Sequence, residues 1–331
     1  MQMTENYKKA CCPSDHTMIT FRTLYEEWIS ECETGVKEST YAQYRVYGRK
    51  HLLPYFGEIP VENITSQSLK EFARYKLNME GERDRQIYSV STVRLMLSIM
   101  KLAFNYGRLK EYPVLPNLMF PRVQECQESR RLVFTVEEQT RLTRHLDASS
   151  NMDAVGILLS LYTGLRVGEI CALRWEAVDL ENRRIQIKYT MQRISNFDPD
   201  SPRKTKVILS HPKSRKSRRD IPIPRFLVDK MSQIRPEDRE AYLLTGSRDT
   251  YLEPRTLENR FRRYAVDCDL PQVHFHMCRH SFATRCLEKG VDIKTLSEIL
   301  GHSSIKITLD RYAHSSFDLK LTNMDKLTFL N

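Results

Sequence analysis

HFHMCRHSFATRCLEKGVDIKTLSEILGHSSIKITLDRYAH, residues 274–314, is the stretch that the rest of the chain serves. Its apolar spacing predicts helices over about 276–289 and 292–300. Gly290 and Gly301 stand as their stops, where a left-handed residue closes a helix end. His276 and Arg279 are three apart, one helical turn, so both side chains can point at one anion. His302 follows a Leu-Gly pair, and Tyr312 comes ten positions later in a short helical pattern. A phosphodiester changing partners needs such a set: donors for its non-bridging oxygens and a hydroxyl able to attack phosphorus. A lone tyrosine says little in a chain with 16 of them, so its case rests on the neighbours. His276 and His280 also have the spacing of a zinc helix, but the H-E-x-x-H string puts Glu second, where Met277 stands.

Working outward, YTGLRVGEICALRW (162–175) adds a second arginine, Arg166, on the turn after a tight break at Thr163-Gly164. Two guanidiniums, Arg166 and Arg279, can each fork onto two oxygens of a pentacoordinate phosphorus. Strands are expected over 184–191, through Val207–Leu209 and through Ile221–Ile223. Around them, 201–225 holds nine Lys/Arg against one acid. Further helices are expected at 150–162, 167–174, 225–233 and 255–267, and Thr135 with Glu138 makes a capping box before an apolar run.

Upstream the pattern is helical throughout. Phe21, Leu24, Tyr25 and Trp28 share one face of a first helix. A second runs from about Ser39 to Leu53, ended by Pro54 and Gly57, with Tyr41, Tyr44 and Tyr47 among Arg45, Arg49 and Lys50. Thr65 caps a third, and Ser91 or a neighbour starts a fourth, while 79–88 reads as a charged loop. Pro113, Pro116 and Pro121 mark a linker.

The totals fit an anionic partner. The 331 residues allow about two domains, 40% of them hydrophobic, with a formal net charge of +10. The pI is near 9.1. No apolar run is long enough to span a bilayer, and MQMTENYKKACCPSDH lacks a signal core, so a cytoplasmic, nucleoid-associated protein is expected. None of the eight cysteines forms a CxxC pair, and several fall inside helical patterns, which suits small buried thiols; Cys11 and Cys12, in the tail, read as exposed free thiols without a role.

TGLRVGEICALRW, PKSRKSRRDIPIP, HMCRH, LGHSS and DRYAH, in that order across about 150 residues, resemble the tyrosine recombinase (phage-type integrase) family. STYAQYRVYGRKHLLPYFGEIPVENIT extends the likeness upstream, although Tyr112-Pro113 stands where many members have Asn-Pro. The resemblance implies an all-helical core-binding (SAM-like) domain followed by a mostly helical catalytic domain with a small antiparallel β-sheet, the DNA breaking-rejoining enzyme fold. The boundaries it suggests are a tail at 1–18, the core-binding domain at 19–115, a linker at 116–130, the catalytic domain at 131–316 and a tail at 317–331 that docks in trans.

By the same resemblance Tyr312 is the nucleophile of a 3′-phosphotyrosyl intermediate, and Arg166, His276, Arg279 and His302 surround the phosphate. Lys213 protonates the leaving 5′-oxygen, with Lys204, Lys206 and Lys216 as competitors. Glu169 orients basic neighbours or is a plain solvated carboxylate. Lys37, Arg45, Arg49, Lys50, Arg74 and Lys76, with Lys204, Lys206, Arg215, Lys216, Arg218 and Arg219, are expected to contact DNA. The implied function is site-specific recombination through a Holliday junction, by a homotetramer on paired double-stranded DNA sites, without metal or nucleotide cofactor and without a membrane. The first 18 residues are too few for a separate arm-binding domain, which points to short inverted-repeat core sites. An accessory DNA-bending or directionality factor is a further expected partner. Two rivals stay open: a type IB topoisomerase-like enzyme and a catalytically silent DNA-binding regulator.

Overall fold

Apolar residues at three- and four-residue spacing wind most of the chain into helices in the computed structural model. It describes residues 18–77, 88–124, 133–211, 218–302 and 304–312, with 310–312 as backbone. Lys213, Arg215 and Lys216, the loop at 79–87, Cys11, Cys12, Cys126 and the tail 317–331 lie outside the described residues. The chain divides into two units: the described part of 1–128 together with Ile194–Lys204, and the described parts of 129–193 and 205–331.

In the first unit, α1 (Phe21–Gly35) starts at Thr20, whose hydroxyl accepts from the Thr23 N–H, and buries Phe21, Leu24, Tyr25, Trp28 and Cys32 on one stripe. The expected second helix is more complex than its spacing suggested. It is α2 (Glu38–Tyr47), a π turn over Gly48–Leu52 and then α3 (Leu53–Phe56). The Tyr25 hydroxyl donates to the Tyr44 carbonyl at 2.8 Å, and a Cβ on Gly48 would lie 1.9 Å from that hydroxyl. Glycine therefore admits the tyrosine against the backbone, and the ladder slips one residue, with the Leu53 N–H on the Gly48 carbonyl. Pro54 does not stop the chain; it sits in the first turn of α3, where its missing N–H costs nothing. Then come α4 (Ser66–Leu77), capped by Thr65, and α5 (Val90–Leu109), capped by Ser89. Phe21, Phe56, Phe72 and Phe104 meet in the centre.

The second unit begins with α6 (Val136–Asp147), carrying the capping box of Thr135 and Glu138. Next, α7 (Met152–Thr163) is buried on nearly every side, as its all-round apolar sequence requires. It ends at Gly164, with φ 69°; a Cβ there would meet Phe282 at 2.6 Å and Leu300 at 2.8 Å, so neither the backbone nor the space admits another residue. Then α8 (Val167–Cys171) is shorter than expected. Beyond it the Leu173 carbonyl accepts from the Leu243 N–H and the Trp175 N–H donates to the Ala241 carbonyl, which draws the chain out of the helix.

β1 (Val178–Asp179), β2 (Arg184–Ile187) and β5 (Arg219–Pro222) form an antiparallel sheet in the order β1-β2-β5, with Ile185 opposite Ile221. The single strand expected over 184–191 is broken. β3 (Thr190–Ser195) pairs with β4 (Thr205–Ser210) in a separate two-stranded sheet. Tyr189, in the break between β2 and β3, is 44% exposed and stacks on His211 at 4.9 Å. The helices α9 (Arg225–Gln233), α10 (Pro254–Val266), α11 (His276–Glu288), α12 (Ile293–Leu300) and α13 (Ile305–Tyr312) complete the unit. Gly290 and Gly301 both take positive φ, as their role as stops requires.

Candidate active site

Helix ends build the candidate site. The last carbonyls of a helix have no partner inside it and carry its negative pole. At the end of α7 the Gly164 carbonyl accepts from Arg279 Nη1 at 2.6 Å, and at the end of α12 the Leu300 carbonyl accepts from Arg279 Nη2 at 2.7 Å. Arg279 is only 2% exposed, so its charge is satisfied by two helix termini that it also ties together. Each of those termini leads into another expected site residue. Two residues after Gly164 comes Arg166, and two after Leu300 comes His302. His276 is at the first position of α11, one turn before Arg279, and is exposed; its ring meets that of buried His280 edge-on at 4.6 Å.

His302 is held at both ends. Its N–H donates to the Ser297 carbonyl, closing the turn that Gly301 makes. Its Nδ1 is 2.8 Å from the Thr308 hydroxyl, which is fully buried. Thr308 lies on α13, four residues before Tyr312, so the helix that carries the expected nucleophile is fastened to His302. With Nδ1 engaged by Thr308, donation to a phosphate falls to Nε2.

Glu169 is 2% exposed, which removes the reading of it as a solvated carboxylate. Its Oε2 accepts from the Arg166 N–H at 2.9 Å and its Oε1 from Arg166 Nη1 at 2.9 Å. Arg219 completes the shell, with Nη1 on Oε1 and Nη2 on Oε2, both at 3.0 Å. Burial pushes this carboxyl up, but the charge and hydrogen bonds of Arg219, with those of Arg166, outweigh it and hold the group at about 2.

Arg219 corrects an expectation. Placed among the DNA contacts, its side chain is 5% exposed, bonded to Glu169 and, through Nε, to the Ile299 carbonyl at 2.5 Å. The signal was present: in a strand, position 219 shares its face with Ile221 and Ile223, which are buried. Arg218, of opposite parity, is exposed. Of the other expected DNA contacts, Lys37, Arg49, Lys50, Arg74, Lys204 and Lys206 are exposed. Arg45 is half-buried beside Tyr41, and the Lys76 ammonium lies 5.1 Å from the Tyr75 ring centre and 5.7 Å from that of Tyr88. Thr308 and the Glu169–Arg219 pair were missed by sequence reasoning.

The arrangement thus joins Arg166, Arg279, His302 and the helix of Tyr312 through hydrogen bonds, with Glu169 and Arg219 behind Arg166. Such a cluster can hold an anion in front of a hydroxyl-bearing helix.

Comparison with known proteins gives the site a context. The phage integrase family profile matches residues 132–318, and that of the phage integrase N-terminal SAM-like domain matches 20–77. A tyrosine recombinase XerC-like protein of Caldanaerobacter subterraneus subsp. tengcongensis is 26% identical over 323 residues, covering 91% of this chain and 80% of the relative. Among solved structures, the Tn1549 transposon integrase in complex with a circular intermediate DNA superposes with a TM-score of 0.74 at 20% identity, covering 94% of this chain and 100% of that one. A lambda integrase tetramer bound to a Holliday junction gives 0.62 at 16% identity, covering 91% and 80%. At these identities the structural matches speak for the fold.

Proposed function

The chain belongs to the phage integrase family, the tyrosine recombinases, and from that premise we propose that it is a site-specific DNA recombinase with Tyr312 as nucleophile. The Tyr312 hydroxyl attacks a DNA phosphorus, the bond to the 5′-oxygen breaks, and a 3′-phosphotyrosyl ester forms with a free 5′-hydroxyl. The ester keeps the energy of the broken bond, so a second 5′-hydroxyl can reverse the step and no nucleotide is needed. Arg166, Arg279 and His302 offer donors to the non-bridging oxygens; His276 assists proton removal from Tyr312; Lys213 protonates the departing oxygen. What carries this reading is the network in which Arg279 ties the turn before Arg166 to the turn before His302, while Thr308 ties His302 to the helix of Tyr312.

The substrate is double-stranded DNA with short inverted-repeat core sites, paired by a homotetramer that exchanges strands through a Holliday junction, with an accessory DNA-bending or directionality factor setting the outcome. Among the described residues no helix is long and apolar enough to cross a membrane. The proposed DNA substrate makes the nucleoid the place of action. The basic exposed side chains Arg49, Lys50, Lys204 and Lys206 neutralise backbone phosphates.

The test starts from a duplex selected out of a randomised pool by its binding to the Tyr312→Phe protein. Rebuilt with a nick beside the cleaved phosphate, so that the short fragment diffuses away, it should trap wild type covalently at a DNA 3′ end. Tyr312→Phe should bind it and trap nothing. A covalent complex that persists in Tyr312→Phe, or one at a 5′ end, contradicts the reading.

A further inference from the structure

The two arginines on Glu169 differ in kind. Arg219 is 5% exposed in its side chain and makes a bidentate pair with the carboxylate, whereas the Arg166 side chain is 37% exposed and gives it one guanidinium nitrogen. The carboxylate oxygens accept from four N–H groups in all, two from each arginine, which fills their capacity. Two cations and one anion leave the cluster at +1. A pair of Arg166 and Glu169 alone would be neutral, and the guanidinium meant for a phosphate would face a buried carboxylate as its only counterion.

We propose that Arg219 is a positioning residue for the reaction: it neutralises Glu169, so that the carboxylate can orient Arg166 without cancelling the charge that Arg166 presents to the phosphate. The inference deepens the reading above and rests on it. Glu169 aligns the Arg166 backbone and one edge of its guanidinium, and Arg219 absorbs the negative charge. The geometry also holds Arg219 in place. Its Nε holds the Ile299 carbonyl, and a Cβ on Gly301 would lie 3.0 Å from its Cδ and Nη1, so the side chain is threaded against the turn before His302. Arg219→Gln removes the charge together with the fork, so the double variant and Arg219→Lys are what separate electrostatics from repacking.

A purely structural ion pair and a charge-balancing one predict opposite results for a double variant. The measurement is the rate of covalent complex formation on the nicked duplex, with DNA affinity and melting temperature recorded beside it, for wild type, Arg219→Gln, Glu169→Gln and the pair together. Arg219→Gln should cleave on the order of a hundredfold slower while binding DNA within a few-fold of wild type. Adding Glu169→Gln removes the uncompensated carboxylate and should return at least tenfold of that rate. Arg219→Lys, which keeps the charge though not the bidentate fork, should cleave faster than Arg219→Gln, and it serves as the charge test where Arg219→Gln fails to fold. The inference is overturned if the double variant is no faster than Arg219→Gln, if Arg219→Gln cleaves at the wild-type rate, or if Arg219→Lys is as slow as Arg219→Gln. Absence of any covalent complex in wild type would instead sink the reading of the site, and this inference with it.

Discussion

Acid should unfasten the Glu169 junction in a measurable way. The carboxyl titrates near 4.5 in the open chain and at about 2 in the folded protein, because Arg219 and Arg166 outweigh the cost of burial. A depressed pKa adds stability that is present above the unfolded value and lost as pH falls through the folded one. The full difference corresponds to about 3 kcal/mol at neutral pH. Between about pH 5 and about pH 3 roughly 2 kcal/mol of it should disappear. Other carboxylates with lowered pKa, such as Glu253 beside Arg193 and Asp238 beside Arg248, contribute to acid loss as well, so the total slope is not diagnostic. Urea unfolding of wild type and Glu169→Gln across that range isolates the group. Above pH 5 the variant should be the less stable, since it leaves Arg219 buried without its anion. The gap should narrow by roughly 2 kcal/mol toward pH 3. A gap that stays constant would refute the argument, because Glu169 would then not be a charged partner in the folded state.

Two further outcomes follow from single contacts. Thr308→Val removes the hydroxyl beside His302 Nδ1 while keeping the side-chain volume; cleavage of the nicked duplex should slow by about tenfold or more, with DNA affinity unchanged and Thr308→Ser close to wild type. Gly48→Ala places a methyl group on the Tyr25 hydroxyl and ring edge and should cost about 1–3 kcal/mol in urea unfolding.

The helical periodicity announced most elements because their apolar faces are buried where spacing puts them: Phe21 to Trp28 in α1, and the nearly continuous apolar run of α7. Local signals were equally plain at Thr135, Gly290 and Gly301. The two misread helices share one cause, a tertiary partner that spacing does not encode. Gly48 looks like a weak point in a helix until Tyr25 arrives from α1, and Leu173 leaves its helix because residues 241–243 offer backbone partners. Arg219 was legible from strand parity yet read by its charge, since the basic run around it drew attention to DNA. Thr308 carried no signal of its own; only the return of α13 to the turn before it gives the hydroxyl a histidine to hold.

The central claim is that one hydroxyl takes the DNA phosphate. Its most direct measurement is to trap wild type on the nicked duplex, digest the DNA and protein, and locate the adduct by peptide mass spectrometry. The account predicts a nucleotide joined through its 3′-phosphate to Tyr312. An adduct on any other residue, or none on a chain that still rejoins DNA, would contradict it.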